Sequence, residues 1–353
     1  MARVKRYIEA DVLTEAKARI NHILDIFDTV AVMFSGGKDS LAVLHLTHEV
    51  MIERGLAKPI NVVFRDEELI PDEVIDFVNE YRQQPWIKMI WFAVPLLSTK
   101  YILGVCHTYL QWDGARPWVR QMPEWAVKLE KGDERTFDQY TMDGFTSQFF
   151  KGKMAFLTGI RSSESIMRYR ACVNKLNENY INAVSDPAAK NVMLCKPIFD
   201  WSEDDVFRYF YDRDISYCKL YDMQMWAGQA LRVSTPLHAE NAKRFDVIKS
   251  VTPDFYQRII NVFPEMLAHE RYYRELDRES IKAQYGQSYA GVRAWIEENI
   301  EDEKQYQQAC KMFNSAMVRA KKFPLQYPPY HLLKAFMGGS FKREILPTGK
   351  AKK

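Results

Sequence analysis

The apolar run Thr29-Val30-Ala31-Val32-Met33-Phe34 leads into Ser35-Gly36-Gly37-Lys38-Asp39-Ser40, which is followed by Leu41-Ala42-Val43-Leu44-His45-Leu46. That order predicts a strand, a glycine turn and a helix, the opening unit of an α/β fold. Such a turn exposes backbone N–H groups at the positive end of a helix, which suits a phosphate chain. Gly36 and Gly37 let the backbone bend and approach an anion with no Cβ in the way. Lys38 supplies a mobile positive charge, Ser35 and Ser40 supply hydroxyl donors, and Asp39 sits in the first helical turn, where it can also help hold Mg²⁺. The spacing is neither that of a P-loop nor that of the dinucleotide fingerprint. The plain alternative is a helix-capping turn that binds nothing.

Strand and helix patterns go on alternating through the first two thirds of the chain, which predicts a parallel sheet. Strands are expected at 29–34, 60–64, 87–92, 154–159 and 192–196, with helices at 38–54, 71–82, near 136–150 and at 202–213. Three strand ends carry chemically loaded residues: the glycine turn, Arg65-Asp66-Glu67-Glu68, and Gly159-Ile160-Arg161. In an open parallel sheet ligands bind at the carboxyl ends of strands, so these should share one crevice. Residues 93–135 read as an irregular insertion holding Trp112, Trp118 and Trp125, either a lid or substrate platform or the cover of an apolar patch. Past Pro236 the pattern turns helical, with helices expected at 239–250, 253–263 and 264–278. Two domains follow, 1–230 and 231–353.

The chain has 353 residues, 27% of them charged and 47% hydrophobic, which excludes a disordered or fibrous protein. No apolar run is long enough to span a membrane, and the charged N-terminus does not read as a signal peptide, so a cytoplasmic location is expected. Cys106, Cys172, Cys195, Cys218 and Cys310 lie far apart, without a C-x-x-C pair. They suggest neither a disulfide framework nor a zinc site. From Lys311 to Lys353 ten Lys/Arg face the single acid Glu344. With Phe323, Tyr327, Tyr330 and Phe336 this basic segment can follow a nucleic acid backbone and stack bases, or it is a solvated tail.

Thr158-Gly159-Ile160-Arg161-Ser162-Ser163-Glu164-Ser165-Ile166-Met167-Arg168 is the second strong signal. On a helix, Arg161, Glu164 and Arg168 would share a face, and arginine forks pair with phosphate or sulfate. An ordinary surface ion-pair row is the alternative.

These motifs, with Phe64-Arg65-Asp66, Lys196-Pro197-Ile198-Phe199-Asp200-Trp201-Ser202-Glu203-Asp204-Asp205-Val206 and Leu220-Tyr221-Asp222, resemble the phosphoadenylyl-sulfate (PAPS) reductase family of N-type ATP pyrophosphatases. The resemblance covers about residues 10–230. It implies an adenine nucleotide α-hydrolase-like sheet with strand order 3-2-1-4-5. The reductases' terminal Glu-Cys-Gly-Leu-His segment is missing, as are the Cys-Cys pair and C-x-x-C of the iron–sulfur relatives, so no iron–sulfur cluster is expected. Gln229-Ala230-Leu231-Arg232-Val233-Ser234-Thr235-Pro236-Leu237 is similar to the junction into the helical extension of the immunoglobulin-binding regulator A proteins. That likeness implies a bacterial or phage source and a ParB-like partner.

The function expected is that of an ATP pyrophosphatase, adenylylating a substrate as pyrophosphate leaves. Ser35, Gly36, Gly37, Lys38, Asp39, Ser40, Asp66, Gly159 and Arg161 would bind the nucleotide. Lys38, Arg161, Glu164 and Arg168 would serve catalysis, and Asp39, with Asp66, would serve Mg²⁺. Two alternatives are a nucleotide-sensing regulator that engages nucleic acid through Lys311–Lys353, and a PAPS reductase using an external thiol or Cys218.

Overall fold

The computed structural model describes residues 8–173, 179–228, 233, 235–238, 242, 245–272, 278–339 and 344–348. The run at 29 becomes β1 (Thr29–Met33), a parallel strand with neighbours on both sides. A strand buried on both faces has no need to alternate, and Ala31 and Val32 are fully buried. β2 (Ile60–Arg65), β3 (Ile87–Phe92), β6 (Met154–Leu157) and β8 (Val192–Cys195) complete the parallel part of the sheet. The strand order is β3-β2-β1-β6-β8-β7, where β7 (Ile181–Ala183) adds an antiparallel edge. The five expected strands therefore stand in the expected order 3-2-1-4-5.

Two strands escaped the sequence reading. β4 (Leu96–Ile102) and β5 (Val105–Gln111) form a separate two-stranded ribbon inside the stretch read as irregular. Its two-residue turn is Leu103-Gly104, with φ of 44° and 95°. Hairpin turns of this kind favour Asn-Gly or Asp-Gly, and a leucine at positive φ hides the signal.

Helices cover the sheet. α1 (Val12–Ile26) starts where the Asp11 side chain accepts the Thr14 N–H at 2.9 Å, and it buries Ala16, Ile20 and Ile23 on one stripe. It packs against α2 (Lys38–Glu53), which α6 (Glu203–Arg213) also contacts. α3 (Asp72–Arg82) contributes Val74 and Val78, while α4 (Thr141–Ser147) places Met142 and Phe145 in a cluster with Ala31, Val63, Phe92 and Phe156. Two shorter helices, α5 (Ile166–Val173) and α7 (Leu220–Trp226), follow β6 and α6.

The chain divides into two compact units, residues 1–97 with 110–234, and residues 98–109 with 235–353. In the second unit, helices Tyr289–Asn299, Glu303–Lys322 and Pro329–Met337 enclose a core of Trp295, Ile296, Phe313, Tyr327, Leu332, Leu333 and Phe336. Helices Phe245–Val251, Pro253–Val262 and Glu265–Tyr272 stand where helical patterns were expected, with 239–241, 243–244 and 273–277 outside the described residues.

Two of the four aromatic residues offered for base stacking, Tyr327 and Phe336, are thus core residues. Of the basic residues in that segment, Lys342, Arg343, Lys350, Lys352 and Lys353 lie outside the described residues, and Arg319 pairs with Glu344. No helix among the described residues is long and apolar enough to cross a membrane.

Candidate functional site

The turn between β1 and α2 is built as its sequence demands. Gly36 has φ +73°, and a Cβ there would lie 2.6 Å from Val74 Cγ1 and 2.9 Å from Val78 Cγ2. Only glycine meets both conditions. Ser40 Oγ donates to the Gly37 carbonyl (2.9 Å) and accepts the Ser35 N–H (3.1 Å), which closes the turn on itself. The Lys38 N–H, one of the free donors of the first helical turn, is taken by Tyr221 Oη at 2.9 Å.

Gly159 follows β6 and touches α2 directly. A Cβ on it would lie 2.4 Å from the Asp39 carbonyl carbon and 2.6 Å from Ser40 N. Backbone against backbone cannot give way as a flexible side chain does. Gly159→Ala should therefore lower stability by about 1–3 kcal/mol, the usual range for overpacking, read as a shift in the chemical denaturation midpoint. An unchanged midpoint would show that this contact is loose.

The close approach at Gly159 brings Arg161 to the turn. Arg161 Nε donates to Asp39 Oδ1 at 2.7 Å and Nη1 donates to Ser163 Oγ at 3.1 Å. Lys38 Nζ lies 3.3 Å from Asp39 Oδ2 and 3.0 Å from Glu203 Oε1, over the ring of Tyr221. Both cations are almost fully enclosed, Lys38 at 5% and Arg161 at 4% exposure. Two cations and two carboxylates thus meet at the N-terminus of α2.

The expected helical face of Arg161, Glu164 and Arg168 does not form. α5 begins only at Ile166, because Glu164 Oε2 accepts the Arg161 N–H (3.0 Å) and holds 161–164 as a turn. Arg161 points into the site, whereas Arg168 is exposed and paired with Glu164. Glu164 therefore braces both arginines.

Asp66 is also placed differently from its expected role. Its Oδ2 accepts Trp91 Nε1–H (2.8 Å), while its Oδ1 accepts the Glu68 N–H (3.0 Å) and pairs with Arg120, so both oxygens are engaged. Burial raises its pKa, and the Arg120 guanidinium opposes the shift. Glu68, fully buried at φ 51°, accepts both Arg116 Nη groups (2.8 Å each), the Trp112 N–H (2.6 Å) and the Val119 N–H (3.0 Å). Trp112 is itself buried and donates Nε1–H to the Asp66 carbonyl at 2.7 Å. This network pins residues 112–120 onto the end of β2. The sequence shows the acids and the arginines, but about fifty residues separate them and nothing in a linear reading joins them.

The segment after β8 supports the site from behind. Asp200 takes a two-pronged bond from Arg19 (2.8 and 2.7 Å), and buried Trp201 donates to the Val12 carbonyl (3.0 Å). The Phe199 carbonyl accepts the Ser162 N–H (2.7 Å), and the Trp201 carbonyl accepts Ser163 Oγ–H (3.2 Å). Ser202 and Asp205 then form a capping box that starts α6 with Glu203 as its first residue. Glu203 and Tyr221 belong to motifs visible in the sequence, yet only the fold shows that both reach Lys38.

The model of the phosphoadenosine phosphosulfate reductase domain matches residues 29–107 and 122–273. The chain belongs to the phosphoadenosine phosphosulfate reductase domain family. It is 27% identical to the uncharacterized protein YbdN of Escherichia coli over 72% of this chain and 66% of that one. It is 27% identical to an adenosine 5'-phosphosulfate reductase of Staphylococcus epidermidis over 26% of this chain and 34% of that one. The chain therefore spans just under two thirds of the first relative and about one third of the second. Among solved structures it is similar to the FMN adenylyltransferase of Candida glabrata, with a TM-score of 0.41, 14% identity, and coverage of 60% of this chain and 58% of that one.

Burial favours the protonated thiol at three of the five cysteines. Cys218 is buried, and burial pushes its pKa up to about 11. Burial also raises Cys172 and Cys106. A thiol needs to be a thiolate to attack, so alkylation of Cys218 at pH 8 in the folded protein should run about 10²-fold slower than in the unfolded chain. Peptide mapping after timed iodoacetamide labelling measures this, and equal rates would refute it.

Proposed function

We propose that this protein is an ATP pyrophosphatase-type enzyme. It binds the β and γ phosphates of ATP at the Ser35–Ser40 turn and directs a substrate oxygen onto the α-phosphate. The oxygen forms a bond to the α-phosphorus as the bond to the bridging oxygen of the β-phosphate breaks. The substrate's proton passes to solvent, and pyrophosphate leaves with the bridging oxygen. The observation that carries this reading is the convergence of enclosed Lys38 and Arg161 on Asp39 at the N-terminus of α2. Phosphoryl chemistry is mainly positioning and charge neutralisation, and a site of this kind supplies both.

Lys38 and the α2 N-terminus would hold the departing pyrophosphate, and Arg161 would meet charge developing near the α-phosphate. Glu164 and Arg168 brace Arg161 from outside the site. Mg²⁺ is usually held by one or two carboxylates together with phosphates and water. Asp39 fits that need as the carboxylate at the turn, and no group of three or more His, Cys, Asp or Glu among the described residues forms a cage for a metal by itself. When bound, the ion would offset phosphate charge. Asp66, engaged on both oxygens, holds the 112–120 loop instead.

Engagement of nucleic acid rests on the basic segment Lys311–Lys353, of which 340–343 and 349–353 lie outside the described residues. The ParB-like partner rests on the likeness of Gln229–Leu237, of which 229–232 and 234 lie outside the described residues, to the immunoglobulin-binding regulator A proteins. Sulfonucleotide reduction through Cys218 is disfavoured by its burial and raised pKa. The test is the product formed from Mg-ATP with candidate acceptors: pyrophosphate and an AMP-bearing product support the proposal, whereas ADP with inorganic phosphate, or sulfite from PAPS, refutes it.

A further inference from the structure

Three contacts from the segment beyond β8 converge on one residue. Tyr221 Oη accepts the Lys38 N–H at 2.9 Å, the Tyr221 ring lies under the Lys38 ammonium at 5.6 Å, and Glu203 Oε1 pairs with Nζ at 3.0 Å. We infer that Glu203 is a displaceable counter-ion, a positioning residue that holds Lys38 until a polyphosphate takes its place and so sets the site's preference for pyrophosphate-bearing ligands. The inference rests on the nucleotide reading above.

The argument is one of charge and exposure. Lys38, Arg161, Asp39 and Glu203 sum to zero, so these side chains as paired add no net charge to the pull of the α2 N-terminus on an anion. An enclosed ammonium needs a partner, and it would be costly to leave it bare. One carboxylate must therefore yield as a phosphate arrives. Asp39 also holds Arg161 at 2.7 Å and is 19% exposed, whereas Glu203 makes a single ion pair at Lys38 and its side chain is 50% exposed. Glu203 can return to water at little cost, because half of its side chain is already exposed and the arriving phosphate replaces it as the partner of Lys38.

The backbone beneath Glu203 is fixed, so only a side-chain rotation is needed. The Ser202–Asp205 capping box, the buried Trp201 and the Arg19–Asp200 fork hold the start of α6. Tyr221 keeps the Lys38 backbone in place while its ammonium changes partner. A ligand with two linked phosphates can pull Lys38 away from Glu203. AMP, which lacks the β and γ groups, has nothing to offer it.

The experiment is titration calorimetry of Mg-ATP, inorganic pyrophosphate and AMP into the wild-type protein and Glu203→Gln, with thermal melts to confirm that both fold. Glutamine keeps the size of the side chain and removes the competing charge. We expect Glu203→Gln to bind ATP and pyrophosphate about three- to tenfold more tightly, with AMP unchanged and the gain shrinking at high salt. Equal or weaker binding of ATP and pyrophosphate by Glu203→Gln, or equal gains for all three ligands, overturns the role of Glu203 alone. Failure of the folded wild type to bind any of the three overturns the nucleotide reading and this inference with it.

Discussion

Lys38→Ala should lower the rate of pyrophosphate release from ATP by about 10²–10³-fold, the cost of removing one aligned electrostatic contact from an enclosed site. The fold should survive the change. Lys38 touches Asp39, Glu203 and the Tyr221 ring, and none of these contacts supports the sheet. Its backbone N–H stays bonded to Tyr221, and the alanine side chain suits the first turn of a helix. The loss should fall mainly on the chemical step and on ATP affinity together, since the β and γ phosphates are held both before and during their departure. A steady-state assay of pyrophosphate against ATP concentration measures it. A loss of less than about fivefold would remove Lys38 from the machinery.

Glu68→Ala should destabilise the first unit by about 3–5 kcal/mol, as expected when one partner of a buried ion pair is removed. The carboxylate is fully buried and accepts four hydrogen bonds, two from Arg116 and one each from the Trp112 and Val119 N–H groups. Without it, the buried Trp112 and Val119 N–H groups lose their acceptor and Arg116 loses the Glu68 carboxylate. The loop at 112–120 would then lose its hold on the end of β2, although Arg120 with Asp66 would remain. Glu68→Gln should lose less, because an amide oxygen still accepts from the backbone. Urea denaturation of both variants, followed by tryptophan fluorescence, measures the difference. Equal stability of wild type and Glu68→Ala would mean that the loop is anchored elsewhere.

The contrast between these two residues shows what a linear reading can reach. Lys38 is legible because strand, glycine turn and helix are contiguous, and the chemistry of the turn follows from local backbone geometry. The five parallel strands are legible because each is a short, mainly apolar run. Glu68 is legible only as one acid in a row of three, because its partners lie in a loop with no periodicity of its own.

Arg161 stands between these cases. Its place after a strand marked it, but the helical face assigned to it gave way to a turn fixed by Glu164. Glu203 and Tyr221 sit in recognisable motifs, yet their role depends on α6 and α7 folding back on α2, which is tertiary information. The hairpin at 96–111 was hidden by one atypical turn residue, Leu103.

The central claim is that the Ser35–Ser40 turn, with Lys38 and Arg161, is a polyphosphate site for an adenine nucleotide. Calorimetric titration of Mg-ATP and AMP into wild type, Lys38→Ala and Arg161→Ala tests it most directly. The account predicts saturable ATP binding by the wild type, AMP at least about tenfold weaker, and a loss of ATP affinity of about tenfold or more in each variant. ATP bound no better than AMP, or bound equally by all three proteins, would contradict it.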